Sequence, residues 1–195
     1  MPRFSDSEKE KVKEKLMQEG ERLFTAYGIK KVTVDDLVQA TGIAKGSFYV
    51  FYQNKEHLYL DIANNLQQKM WHDMDGFLNE RRNMPPRELT KQAVLWMFER
   101  LERYPLLVQA VGEAADYLYR KLPKEIYEAH MLDDIHSLAK LREYGISFKC
   151  DMKLATKILQ VIAMALLNLQ QVDAEERTAV TSIILNGVVN EIVGD

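Results

Sequence analysis

The sequence predicts an all-α protein of about nine helices. Apolar residues recur at i, i+3 and i+4 along most of the chain, while two-residue alternation is absent. Proline is confined to positions 2, 85, 86, 105 and 123, and neither Gly nor Pro occurs between Ile146 and Asn186. Strands joined by tight turns would need such residues far more often.

The elements follow in order. Residues 5–27 form a first helix, with Val12, Leu16, Leu23, Phe24 and Tyr27 on one stripe and charge opposite. Gly28 supplies its stop. Thr33 and Asp36 have the spacing of a capping box and start a short helix over 34–41, which Gly42 breaks. A second short helix covers 44–51. Asn54 caps a long helix over 55–82, whose first turn holds Glu56, an acid suited to the helix dipole. Leu58, Ile62, Leu66, Met70, Met74 and Phe77 make its buried stripe. The Pro85-Pro86 pair then resets the chain. Helices over 86–103, 105–121 and 123–144 each open near a proline. Gly145 ends the last of them, and 147–150 is a connector. Asp151 and Asp173 cap two final helices, 152–171 and 174–193. The first three helices make a small unit, residues 1–54, and residues 55–195 a larger one.

Composition narrows the function. The chain has 195 residues, 47% of them hydrophobic, and a net charge of −3. That balance does not advertise nucleic-acid binding, which usually shows as a basic chain. Cys150 is the only cysteine, so no intrachain disulfide forms and a reducing compartment, the cytoplasm, is expected. Residues 1–15 are crowded with charge and lack the apolar run of a signal peptide. The longest apolar stretch, 158–169, is 12 residues and holds Gln160 and Asn168. A membrane span needs about 20, so no membrane partner is expected. No Ser-His-Asp set, Gly-rich phosphate loop or paired-carboxylate motif stands out, so an enzyme is not expected. His130, Asp133 and Asp134 share a helix face, but His136 falls six residues on and points elsewhere, so no metal is expected.

The informative segment is 33–55, TVDDLVQATGIAKGSFYVFYQNK. Two short helices flank a turn at Gly42, and Leu37, Val38, Ile43 and Phe48 are spaced to bury their crossing. This is the layout of a helix-turn-helix, whose second helix enters the major groove of DNA. Between Leu37 and Lys55 there is no acid and there are two lysines, Lys45 and Lys55.

Over residues 8–60 the order and spacing of residues closely resemble the DNA-binding domain of the TetR family, the tetracycline-repressor-like regulators. The matching elements are Leu23-Phe24 with Tyr27-Gly28, Thr33-Val34-Asp35-Asp36-Leu37, Ala40-Thr41-Gly42-Ile43, Lys45-Gly46-Ser47-Phe48-Tyr49, and Lys55-Glu56 with Leu58. The resemblance implies a DNA-binding domain over 1–54 and a ligand-binding and dimerisation domain over 55–195. It implies that Ser47 and Tyr49 touch DNA and that Lys55 meets a phosphate. Lys45 and Gly46 lie in the first turn of the recognition helix, Thr33 can offer a hydroxyl to phosphate, and Tyr52 is a further backbone contact. Val50, exposed beside them, could meet a thymine methyl. Read one at a time, Lys45 and Lys55 can also be solvated surface lysines, and Tyr49 and Tyr52 packing residues. Asp35 and Asp36 are explained by capping, yet they limit which neighbouring groups can face phosphate.

The last two helices are apolar on several faces, so several faces must be covered. A second subunit can cover one of them, and the resemblance implies a four-helix bundle shared by two subunits. The expected homodimer interface holds Ile158, Ile162, Leu166, Ile183 and Gly187; an internal hairpin is the other reading. The resemblance also implies a pocket for an unidentified small-molecule effector, with no cofactor. Met70, Met74, Met97, Tyr104, Tyr117 and Tyr127 are its candidate lining, and residues of this kind at helical spacing also make ordinary core. The expected function is a DNA-binding transcriptional regulator, a ligand-responsive repressor that binds a palindromic double-stranded operator as a homodimer. The competing expectation is a TetR-like interaction protein without DNA binding.

Overall fold

The computed structural model describes residues 5–101, 103–112, 114–169 and 172–194. The side chains of Tyr127, His130, Asp133 and Asp134 lie outside the described residues, so the effector and metal readings placed on them are left there. Among the described residues there are ten α-helices, one 3-10 helix and no strand.

In chain order these are α1 (Asp6–Tyr27), α2 (Val34–Thr41), α3 (Lys45–Phe51), α4 (Lys55–Glu80), α5 (Pro86–Leu101), α6 (Pro105–Val111), α7 (Ala115–Lys121), α8 (Lys124–Ala139), η1 (Lys140–Tyr144), α9 (Met152–Asn168) and α10 (Ala174–Ile192). The all-α expectation holds, with two departures from nine helices. The helix expected over 105–121 is interrupted at Gly112, whose backbone N–H turns back to Val108 and Gln109. The helix expected over 123–144 tightens into η1 before Gly145, which takes a φ of 80°.

The start signals act as the residues suggest. Ser5 and Glu8 close a capping box on α1, and Thr33 and Asp36 close one on α2. Asn54 accepts from the His57 N–H, Asp151 from Leu154, and Asp173 from Glu175 and Glu176. The chain leaves α1 and α2 through Gly28 and Gly42, at φ 75° and 70°, a region that costs a side-chain-bearing residue strain.

The chain forms two compact units. The first joins Met1–Gln68 with Tyr104–Lys124, and the second joins Lys69–Arg103 with the chain from Glu125 onward. This division does not coincide with a cut at residue 54. The reason is visible inside the first unit, where α6 and α7 are bonded to α1 and α4. Gln109 donates to the Thr25 carbonyl at 3.1 Å, Tyr59 to the Leu106 carbonyl at 3.1 Å, and Tyr117 to the Glu56 carboxylate at 2.6 Å. Leu16, Phe24, Leu37, Phe48, Leu58, Tyr59, Ile62 and Leu106 are almost fully buried there. The Phe24 and Tyr59 rings meet edge to face at 5.3 Å. Gly20 of α1 lies so close to α4 that an added Cβ would stand 2.9 Å from Ile62 Cδ1.

The second unit has two apolar clusters. One gathers Met74, Leu78, Leu89, Ala93, Leu141, Ile146, Ala155 and Val189; the other gathers Val94, Ile162, Leu166 and Leu185. The 147–150 connector is held to the end of α10 by a Phe148–Val193 bridge. No helix of the described residues is long and apolar enough to cross a membrane.

Candidate nucleic-acid interface

The helix-turn-helix is built on buried apolar anchors. Leu37 of α2 and Phe48 of α3 have no exposed surface, and the αL turn at Gly42 sets the angle between their helices. With Phe48 pinned inward, the opposite face of α3 turns outward. Lys45, Gly46, Tyr49 and Val50 are exposed, Tyr49 by 52% and Val50 by 61%, and Ser47 is half-buried. The Tyr49 ring stands perpendicular to Phe48, with centroids 5.4 Å apart, which fixes its direction.

Other expected contacts are engaged in different work. Thr33 is exposed, but its hydroxyl donates to Asp36 at 2.6 Å and accepts from the Asp36 N–H. The hydroxyl bond, and then one from the Thr33 N–H, hold the Asp36 carboxyl below its ordinary range. Tyr52 is withdrawn from the surface. It is 7% exposed, and its hydroxyl donates to Asp61 at 2.8 Å. Burial, and then that bond, push its hydroxyl pKa up. A residue at the C-terminal edge of a seven-residue helix can face in or out, and nothing local in the sequence decides which.

Lys55 is half-buried, and its ammonium donates to the carbonyls of Ile29 and Val32, both at 2.6 Å. It thereby satisfies two carbonyls of the α1–α2 connection, which no helix partner serves. Desolvation lowers its pKa. Tyr117 lies 5.7 Å beneath it, ring toward charge. The role expected at phosphate is therefore joined by a structural one. Lys45 is also paired: its ammonium meets the Asp35 carboxylate at 2.8 Å, and that hydrogen bond raises its pKa.

The expected effector residues with described side chains fall in two units. Met70, Met74 and Met97 belong to the second unit, where Met70 and Met74 are buried and Met97 packs on the larger cluster. Tyr104 and Tyr117 belong to the first. Tyr117 is bonded to Glu56, and its hydroxyl pKa is pushed up to about 12 by burial and by that bond. None of these residues lines the open cavity of about 580 Å³ between α1 and α2, around Leu23, Tyr27, Val32 and Gln39. Nor do they line the groove of about 740 Å³ along α4 and α5, where Phe77 and Trp96 stack under Arg81 and Arg100.

The expected dimer residues divide by helix face. Ile162 and Leu166 are 5% and 1% exposed and pack inside the chain's own second unit. Ile158 is half-buried against both clusters. Ile183 is 72% exposed, and Gly187 is exposed one turn later. The outward apolar residues of α9 are Leu154, Val161 and Met164. Apolar residues lie on both the inward and the outward sides of these two helices, so residue type alone did not say which of them face out.

Comparison with known proteins agrees with this architecture. Residues 16–62 match the family model described as bacterial regulatory proteins, tetR family. Over that segment the chain is similar to the TetR family. The curated relatives include the transcriptional repressor AcnR of Corynebacterium jeikeium, 30% identical over 70 residues that make 36% of this chain and 37% of that one. The transcriptional regulator YhgD of Bacillus subtilis is 25% identical over 104 residues, 53% of each chain. The chain spans about half or less of the curated relatives it matches. The TetR-type fold extends over nearly the whole chain. SmeT, repressor of the Stenotrophomonas maltophilia multidrug efflux pump SmeDEF, superposes with a TM-score of 0.59 over 94% of this chain and 91% of its own, at 18% identity. SmeT is also known in complex with triclosan.

Proposed function

We propose that the protein is a DNA-binding transcriptional regulator, a repressor that binds a palindromic operator as a homodimer and releases it on binding a small-molecule effector. The observation that carries this reading is the outward face of α3. Lys45, Gly46, Tyr49 and Val50 project from a helix whose other face is locked by Phe48, in a stretch, 37–55, that has no acidic residue. Base edges are read from such a face. Residues 1–54 do the reading, and residues 55–195 supply dimerisation and the effector response.

The dimer is supported by the exposed apolar row Leu154, Val161 and Met164 on α9 and Ile183 on α10, which water covers at a cost. Two copies place two α3 helices about 34–36 Å apart, one duplex turn, which is why the operator is a palindrome. An effector acts only by favouring a state with another spacing. SmeT, a fold neighbour with a bound small molecule, supports such a response. The protein acts by binding, with no catalytic step, and works in the cytoplasm where its DNA is.

Selection of duplexes from a randomised pool, followed by gel shift, tests this. A palindromic consensus bound far more tightly than random duplex is the expected result. A protein that enriches no sequence is the interaction protein of the competing reading.

A further inference from the structure

We propose that Asp35 and Lys45 act as one reading unit, the Lys45 ammonium donating to guanine and the Asp35 carboxylate accepting from cytosine of a single G·C pair in the major groove. This rests on the DNA-binding reading above.

Two carboxylates stand at the start of α2, and they have different employment. Asp36 is held by the backbone and hydroxyl of Thr33 at 2.8 and 2.6 Å, which commits it to capping. Asp35 reaches across to the other helix of the motif and pairs with Lys45, at 2.8 Å to one oxygen and 2.9 Å to the other. Both side chains remain open to solvent, 69% and 53% exposed, beside Gly46 and Tyr49. An acid on this face is costly next to phosphate. A lysine neutralised by it releases no counterion on random DNA, so the pair adds nothing to sequence-independent affinity. What it can add is base readout.

The spacing suits one base-pair edge. The N4–H of cytosine and the O6 of guanine are joined by an ordinary N–H···O hydrogen bond of about 2.9 Å. A donor and an acceptor held 2.8 Å apart therefore meet an acceptor and a donor at matching separation. An A·T edge also sets a donor beside an acceptor. Only guanine, however, presents two adjacent acceptors, O6 and N7, to an ammonium with several N–H groups, and only cytosine then sets its amino donor beside them. On A·T the ammonium meets thymine O4 alone, with the C5-methyl beside it in place of a second acceptor.

The test is a duplex selection on the full-length protein, run in parallel on wild type, Asp35→Asn and Lys45→Gln, with far-ultraviolet melts to confirm that each variant is folded. Wild type is expected to select G·C at one position of its site. Both variants should lose roughly 5- to 100-fold of the preference at that position alone. Asp35→Asn should also hold random duplex more tightly, with a steeper salt dependence, because Lys45 is freed. Variant consensus sequences identical to wild type at every position would overturn the proposal while leaving the DNA-binding reading intact. So would an A·T preference at the position the variants alter. A wild type that enriches no sequence would overturn both.

Discussion

Tyr49 projects half-exposed from α3 with its ring braced edge-on by the buried Phe48, so its position is fixed before any duplex arrives. Tyr49→Ala is expected to weaken specific binding by about 1–3 kcal/mol in a gel-shift titration, leaving random duplex nearly unaffected. Lys55 works differently. Lys55→Met removes a charged donor from two carbonyls, and its half-buried site predicts a loss of about 1–3 kcal/mol in urea unfolding. An unchanged unfolding midpoint would return Lys55 to a purely phosphate-facing role. The sequence showed that lysines and tyrosines crowd this segment. It did not show that Tyr52 turns inward to Asp61 or that Lys55 reaches back 26 residues to Ile29. Those choices depend on what the fold brings within reach.

Capping chemistry is local, and so it was legible. The Thr33–Asp36 box is where the side chains place it, and it gives α2 a defined acid response. Asp36 is held below the ordinary carboxylate range in the folded state, so its contribution is complete above that range. It is lost as pH falls through the folded value. Asp36→Asn should flatten the acid limb of a pH–stability curve measured by circular dichroism. A limb equally steep in the variant would remove this explanation. Helix contacts were less legible. A Gly inside a helical pattern signals a close approach without naming the neighbour. Gly20 meets Leu58 and Ile62 of α4. Gly20→Val therefore overpacks the α1–α4 contact, with an expected cost of about 1–3 kcal/mol in thermal or urea unfolding.

At the scale of the whole molecule, charge and apolar surface are both unevenly distributed. The net charge of −3 conceals a first sixty residues with ten basic and nine acidic side chains, and a reading helix without an acid. Apolar surface collects on α9 and α10, where Ile183 is 72% exposed. Ile183→Glu should give monomers in sedimentation velocity while keeping the helical signal. Leu166→Glu, buried in the chain's own core, should instead lose the fold. A dimer unaltered by Ile183→Glu would move the interface off this row. All-α architecture was readable because the i, i+3, i+4 spacing recurs along most of the chain. The partition into units was not, because it depends on bonds between residues as far apart as Thr25 and Gln109.

Those bonds bear on how the protein can be taken apart. Tyr59, Glu56 and Thr25 each hold a partner on α6 or α7, and Leu106 and Leu118 are buried in the same unit. A reading head excised before α5 would carry an open apolar seam and a buried carboxylate stripped of its phenol. Exchange of DNA specificity between regulators of this design is therefore safer by resurfacing α2 and α3 in place than by splicing at the long helix.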